Sequence, residues 1–277
     1  MSNGLVLFLQ QIINGLRVGA YTLAFMVPML AGAGLPVWLA VVPAIFICAA
    51  VGVTSEQLAY KPVRKKGTKM SSLITAIAMS LFLENLAQVL FGSTPKRVNT
   101  IFSLPNVTLG SVTINGNSIL TIAIGVAVMV ALQLFVKKTK MRRAMRAVSE
   151  DWEASTLMGI NVNRIITITF AIGSGLAAIA SLMYCATYPQ ATTTMGSMLG
   201  LKAFVAAVLG GIGIIQGAML GGIIIGLVES LSKAYSAALT GGLITSAYSD
   251  AVVFLILIIV LLVKPSGILG KNVGEKV

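Results

Sequence analysis

The chain has 277 residues, of which 57% are hydrophobic and only 10% charged. Its mean hydropathy is +0.94, whereas an ordinary soluble domain is about 25% charged. Apolar runs of about 20 residues, the length that spans a bilayer core of about 30 Å, fill most of the sequence. The segments between them are too short for a compact domain of about 50 residues, which excludes a built-in ATPase, kinase or dehydrogenase.

The net charge of +12 raises nucleic acid as a partner, but its distribution argues against one. Lys61, Arg64, Lys65, Lys66 and Lys69 form one cluster, and Lys137, Lys138, Lys140, Arg142, Arg143 and Arg146 a second. Arg164, Lys264, Lys271 and Lys276 follow. Apolar spans separate these groups so that all fall on one side of a membrane, as the positive-inside bias requires. The charge therefore reads as topological, with no nucleic acid implied. There is no His, and Cys48 and Cys185 sit in apolar runs, so neither a metal centre nor a disulfide framework is expected.

In chain order, Leu5 to Gly32 is an outward span with a poorly apolar first half, owing to Gln10, Gln11, Asn14 and Arg17. The opening MSNGLVLFLQQIINGLR has no basic n-region and no small-residue cleavage site, so it reads as part of the mature chain. Pro36 to Leu58 runs inward and Leu73 to Phe91 outward, followed by a polar outer stretch, Gly92 to Ser118, with an Asn106-Val107-Thr108 sequon. Ile119 to Val136 runs inward and Ile165 to Tyr188 outward. Gly200 to Leu209 and Gly217 to Leu231 read as short or broken helices meeting at a turn over Gly210 to Gly213, and Ala247 to Val263 is the last span. The expected fold is all-α, a polytopic bundle of about eight membrane segments forming one transmembrane domain over 1–277, with both termini cytoplasmic. None of the runs alternates as a barrel strand would.

Three features carry mechanism. Within the cytoplasmic segment 137–164, residues Glu150 to Met158 are predicted to form a helix. Ser149 is its expected N-cap, Glu150, Asp151 and Glu153 lie in the first turn, and Gly159 terminates it. Such a helix suits docking on a cytoplasmic partner through Trp152, Leu157 and Met158, or lying on lipid headgroups. Next, the spacing of Gly213, Gly217, Gly221, Gly222 and Gly226 suggests close helix packing, and Ile172 to Ser181 is similarly small. No Lys-Ser or Lys-Thr follows the glycines, so a phosphate loop is not indicated. Finally, Ser80, Glu84 and Gln88 share one helix face, and Asn85, Lys202, Glu229 and Lys233 are also intramembrane polar residues. They are candidates for a pathway; interhelical bonding, including a Lys202–Glu229 pair, is an equal reading.

Several stretches resemble the permease subunits of branched-chain amino acid ABC importers of the LivH type. They are LAYKPVR (Leu58 to Arg64), SLFLEN (Ser80 to Asn85), SEDWEASTLMGINVNRI (Ser149 to Ile165), KAFVAAVLGGIGIIQGAMLGG (Lys202 to Gly222), GLVESL (Gly226 to Leu231) and KPSGILG (Lys264 to Gly270). The resemblance covers most of the chain. It implies a non-enzymatic transport subunit in a bacterial plasma (inner) membrane, working with a second permease subunit, two cytoplasmic ATP-binding subunits and an external substrate-binding protein. It implies no cofactor, a loop of Glu150, Asp151, Gly159, Ile160 and Asn161 facing the ATPase, and branched-chain or other hydrophobic amino acids as substrates. Urea or a short amide is the alternative cargo. One departure is that Asn14-Gly15-Leu16-Arg17-Val18-Gly19 runs directly into Ala20-Tyr21-Thr22, where the family carries a further membrane stretch with an Asn-Phe-Ala-His-Gly motif. An ion-coupled secondary transporter using Glu84 and Glu229 and a non-transporting assembly subunit or remnant are the readings from other classes.

Overall fold

The computed structural model describes residues 2–32, 37–66, 69–98, 105–109, 112–211, 213–239, 248–264 and 267–270. Pro36, Ala247, Lys271 and Lys276, used above as span edges or flanking charges, lie outside them. The described chain is almost entirely helical, as expected of a polypeptide that must satisfy its backbone hydrogen bonds without water. It divides into two compact units, residues 1–200 and 201–277.

The first unit opens with α1 (Ser2–Gly32). A 3₁₀ turn (Val37–Ala40) leads into α2 (Val41–Ser55), which continues through a π-helical turn (Glu56–Tyr60) into α3 (Lys61–Lys66). The helices α4 (Lys69–Phe91), α5 (Gly116–Lys138), α6 (Met141–Glu150), α7 (Trp152–Leu157) and α8 (Val162–Thr187) follow. Two short strands, β1 (Lys96–Arg97) and β4 (Gln190–Ala191), pair antiparallel and tie the end of α4 to the end of α8. Between them in sequence, β2 (Val107–Leu109) and β3 (Val112–Ile114) form a hairpin that includes part of the sequon.

Packing in this unit centres on α8, whose buried face is built from small residues: Gly173, Ser174, Gly175, Ala177, Ala178 and Ser181. Small side chains let backbones approach, which is how helices associate where lipid supplies no hydrophobic drive. A Cβ at Gly15 of α1 would lie 2.6 Å from the Cβ of Ala177, so glycine is what that contact requires. Leu23 and Val27 of α1, Ala44 of α2 and Leu182 and Met183 of α8 close a fully buried cluster. By contrast α4 and α5 expose Ile74, Leu81, Phe82, Val89, Ile122 and Val126. Large apolar side chains facing outward are what a lipid-facing helix carries.

The second unit comprises the remainder of α9 (Met195–Gly210), α10 (Ile215–Leu239) and α11 (Tyr248–Val263). Its core is Val205, Ala206, Ile225 and Val253. The glycine-rich stretch does not break the helix after it: α10 is 25 residues long, a correction to the short segment read from sequence. Among the described residues of the turn, Gly211 and Gly213 have φ values of +107° and +90°, which only glycine adopts at low cost. Within the helices, a Cβ on Gly217 would land on the Gly210 carbonyl, and one on Gly221 on the Ala206 carbonyl. The close-packing role thus belongs to Gly210, Gly217 and Gly221. Gly213 serves the turn, Gly222 meets only the Ala206 Cβ at 3.9 Å, and Gly226 meets nothing within 4 Å among the described residues.

Gly217→Ala is therefore expected to destabilise the protein in detergent by about 1–3 kcal/mol through overpacking. Gly226→Ala is expected to be neutral, or to stabilise by up to about 1 kcal/mol from the unfolded-chain entropy it removes. Thermal unfolding of the two variants side by side checks the contrast.

Among the described residues, six helical stretches are long and apolar enough to cross a membrane: Ile12–Leu30, Val41–Arg64, Ile74–Phe91, Gly116–Lys138, Val162–Thr187 and Ile215–Tyr235. The other two expected segments form α9 and α11, apolar helices of 16 residues each. At 1.5 Å per residue these reach about 24 Å, short of a full bilayer core.

Candidate functional site

The segment joining α5 to α8 contains two helices where sequence reading expected one. The break falls at Asp151, whose φ of −150° and ψ of +113° leave the helical region. Its Oδ1 accepts the backbone N–H groups of Glu153 at 2.9 Å and Ala154 at 3.0 Å, making Asp151 the N-cap of α7. Ser149 is not the cap. Its hydroxyl donates to the Arg146 carbonyl at 2.8 Å, inside α6, and Glu150 is the last residue of that helix. The physical reason is competition between neighbours: the carboxylate at 151 satisfies two N–H groups, whereas the serine hydroxyl is spent on its own helix.

The end of α7 is equally defined. Gly159, at φ +79°, donates to the Thr156 carbonyl, and the Ile160 N–H donates to the Ser155 carbonyl, each at 3.0 Å. This is the paired bonding of a Schellman cap. Asn161 immediately caps the next helix, its Oδ1 accepting the Arg164 N–H at 3.1 Å. No slack chain separates α7 from α8. Ser155 is the buried residue of the short helix, and its hydroxyl donates within the helix to the Asp151 carbonyl at 2.6 Å. Trp152, Leu157 and Met158 project outward, with Leu157 89% and Met158 85% exposed. The result is a rigid apolar knob fused to the start of a membrane helix.

Ser80, Glu84 and Gln88 lie on one face of α4, and the polar groups they meet were missed from sequence. Arg17 of α1, 1% exposed, donates through Nη2 to the Glu84 carboxylate at 2.7 Å and to the Ser197 hydroxyl at 3.2 Å. Its Nη1 donates to the Ser80 carbonyl at 3.1 Å. One turn on, Gln88 donates to the Thr193 hydroxyl at 3.4 Å. A lone arginine in a membrane stretch requires a partner, and that signal could have directed attention to Glu84. Tyr21 stacks on Phe91 at 5.1 Å and extends the same α1–α4 contact.

In the second unit, Lys202 of α9 lies 2.8 Å from Glu229 of α10 and 2.8 Å from Asp250 of α11. Lys233 reaches the same Glu229 oxygen at 2.6 Å, so two cations and two carboxylates balance. The pairing with Asp250 was not read from sequence, although an acid just inside an apolar run signals a partner.

A further polar cluster was also missed. Glu56, 0% exposed, accepts from Arg64 at 3.0 Å and from the Thr167 hydroxyl of α8 at 2.8 Å. Arg64 also donates to Asn163 at 3.0 Å.

Residues 11–261 match the family model described as the branched-chain amino acid transport system / permease component. The high-affinity branched-chain amino acid transport system permease protein LivH of Salmonella typhimurium is 39% identical over 270 residues, covering 94% of this chain and 84% of its own length. LivH of Escherichia coli matches with the same identity and coverage. BraD of Pseudomonas aeruginosa, named as a permease of the same kind of system, is 38% identical over 269 residues, covering 94% of this chain and 85% of its own. No solved structure matches the chain significantly. A multi-pass helical chain matched by this model and by these relatives over nearly its whole length belongs to the branched-chain amino acid transport permease family, a transport component and not an enzyme.

Proposed function

We propose that this protein is one of two permease subunits of an ATP-driven importer. It translocates branched-chain or other hydrophobic amino acids received from an external binding protein, and two cytoplasmic ATP-binding subunits drive it. It resides in the plasma (inner) membrane with its C-terminus in the cytoplasm.

The observation that carries this reading is the α7 knob. A six-residue helix with firm caps at both ends, three exposed apolar side chains and no slack before α8 is shaped to receive force from a protein groove. A membrane-surface helix would need a longer apolar face than one of six residues. The basic clusters before and within α6 favour the cytoplasmic side for this segment. In this reading Glu150, Asp151, Trp152, Leu157, Gly159, Ile160 and Asn161 form the element that engages the ATPase, and closure of the ATPase pair moves α8 as a lever. The Ser80, Glu84 and Gln88 face of α4, with Arg17 opposite, lines the polar part of the pathway, and Lys202–Glu229 holds the second unit together. The two intramembrane carboxylates considered for ion coupling, Glu84 and Glu229, each already sit against a cation, which favours the ATP-driven reading over an ion-coupled one.

Affinity purification of the tagged chain from membranes of its host, followed by identification of the proteins that accompany it, tests the proposal. Co-purification of two ATP-binding subunits per permease pair is the expected result, and isolation of the chain without any would overturn it.

A further inference from the structure

We infer that Glu56, Arg64, Asn163 and Thr167 form a mechanical joint that carries movement of the α7 segment into the α2–α3 arm, so that they act as positioning residues for transport. The inference rests on the reading of α7 as the element that engages the ATPase.

Three observations converge on it. The first is placement. Asn163 and Thr167 lie in the first two turns of α8, directly after the Asn161 cap, so any displacement of α7 reaches them before the rest of the helix. The second is a shared face. Glu56, Tyr60 and Arg64 recur every four residues along the arm and all three reach α8, Glu56 at Thr167, Tyr60 at Phe170 and the longer Arg64 back at Asn163. Tyr60 and Phe170, with ring centres 5.4 Å apart, close an apolar contact with Ala76 beside the polar ones.

The third is the backbone at Glu56. The continuous α2–α3 arm changes to π-helical hydrogen bonding over Glu56–Tyr60. A single π turn inside an α-helix costs regular bonding and is characteristically retained at functional positions. Here it coincides with a wholly buried carboxylate whose two oxygens are used separately, Oε1 by Arg64 on its own arm and Oε2 by Thr167 on α8. Arg64 closes the ring by donating to Asn163 as well. Directional bonds to a charged group resist sliding in a way that apolar contacts do not. Their position at the base of the lever explains why so costly a buried charge serves this site.

The test uses the whole importer reconstituted in proteoliposomes, reading ATP hydrolysed per amino acid transported. Thr167→Val keeps the side-chain shape but leaves Glu56 Oε2 without this donor, at a cost in stability, so the ratio is read only on importer that assembles with its ATPase subunits. The expected result is a rise of at least about ten-fold in that ratio, the scale of one lost hydrogen bond to a charged group. The ATPase subunits should remain bound and active. Thr167→Ser, which restores the hydroxyl, should return the ratio to the wild-type value, and Glu56→Gln should raise it as Thr167→Val does. An unchanged ratio in Thr167→Val, or transport and hydrolysis falling in proportion, would overturn the joint while leaving the importer reading intact. A wild-type chain that binds no ATPase, or transports without ATP, would overturn the importer reading and the joint with it.

Discussion

Replacing Arg17 with methionine is expected to lower the stability of the protein in detergent by about 3–5 kcal/mol, the usual cost of leaving one member of a buried ion pair without its partner. Arg17 is 1% exposed and holds three groups at once: the Glu84 carboxylate, the Ser80 carbonyl and the Ser197 hydroxyl. Removing the guanidinium strands Glu84 on a helix whose other faces carry Leu81, Phe82, Leu86 and Val89. The double change Arg17→Met with Glu84→Met should recover most of the loss, because apolar replacement of both partners removes the uncompensated charge. Denaturant or thermal unfolding of Arg17→Met, Glu84→Met and the double variant forms a double-mutant cycle that measures the coupling directly. A single-variant loss below about 1 kcal/mol would mean that the pair contributes no more than a surface salt bridge does.

The second large effect is expected at the α7 cap. Gly159→Pro removes an N–H that bonds to Thr156 and demands a negative φ where the chain has +79°. The knob should then lose its fixed relation to α8, and transport should fall at least about ten-fold, a loss of roughly 1.4 kcal/mol in productive coupling. The paired substitution Glu150→Lys with Asp151→Lys attacks the other end, since a lysine at 151 supplies no acceptor for the Glu153 and Ala154 N–H groups. Co-purification with the ATP-binding subunits should be lost in both variants while the membrane helices remain folded. Retention of the ATPases at wild-type levels in both would place the docking surface elsewhere.

The membrane helices were legible in the sequence because their signal is local: about 20 apolar residues and a charge bias at the ends suffice. So was the presence of a short helix between α5 and α8, where an acidic turn and a terminating glycine lie within ten residues of each other. Its boundary was not, because Ser149 and Asp151 are both good caps and only the three-dimensional structure shows which backbone N–H groups each can reach. The long α10 was misread because glycine is a helix breaker in water, whereas here Gly217 and Gly221 admit the Gly210 and Ala206 carbonyls. The polar joints were the least legible. Arg17 and Glu84 are 67 positions apart, and Glu56 and Thr167 are 111 apart. No spacing rule links such pairs, so a sequence reading finds the lone charge and misses its partner. Lys202 and Glu229, 27 positions apart on adjacent helices, were close enough to be considered together.

The most direct test of the proposed role is uptake of radiolabelled leucine into proteoliposomes containing the assembled importer, with its external binding protein outside and ATP inside. Uptake that requires both enclosed ATP and the binding protein, and that valine and isoleucine compete away, is the expected result. Uptake that proceeds without ATP and follows an imposed ion gradient, or no uptake by a correctly assembled complex, would contradict it.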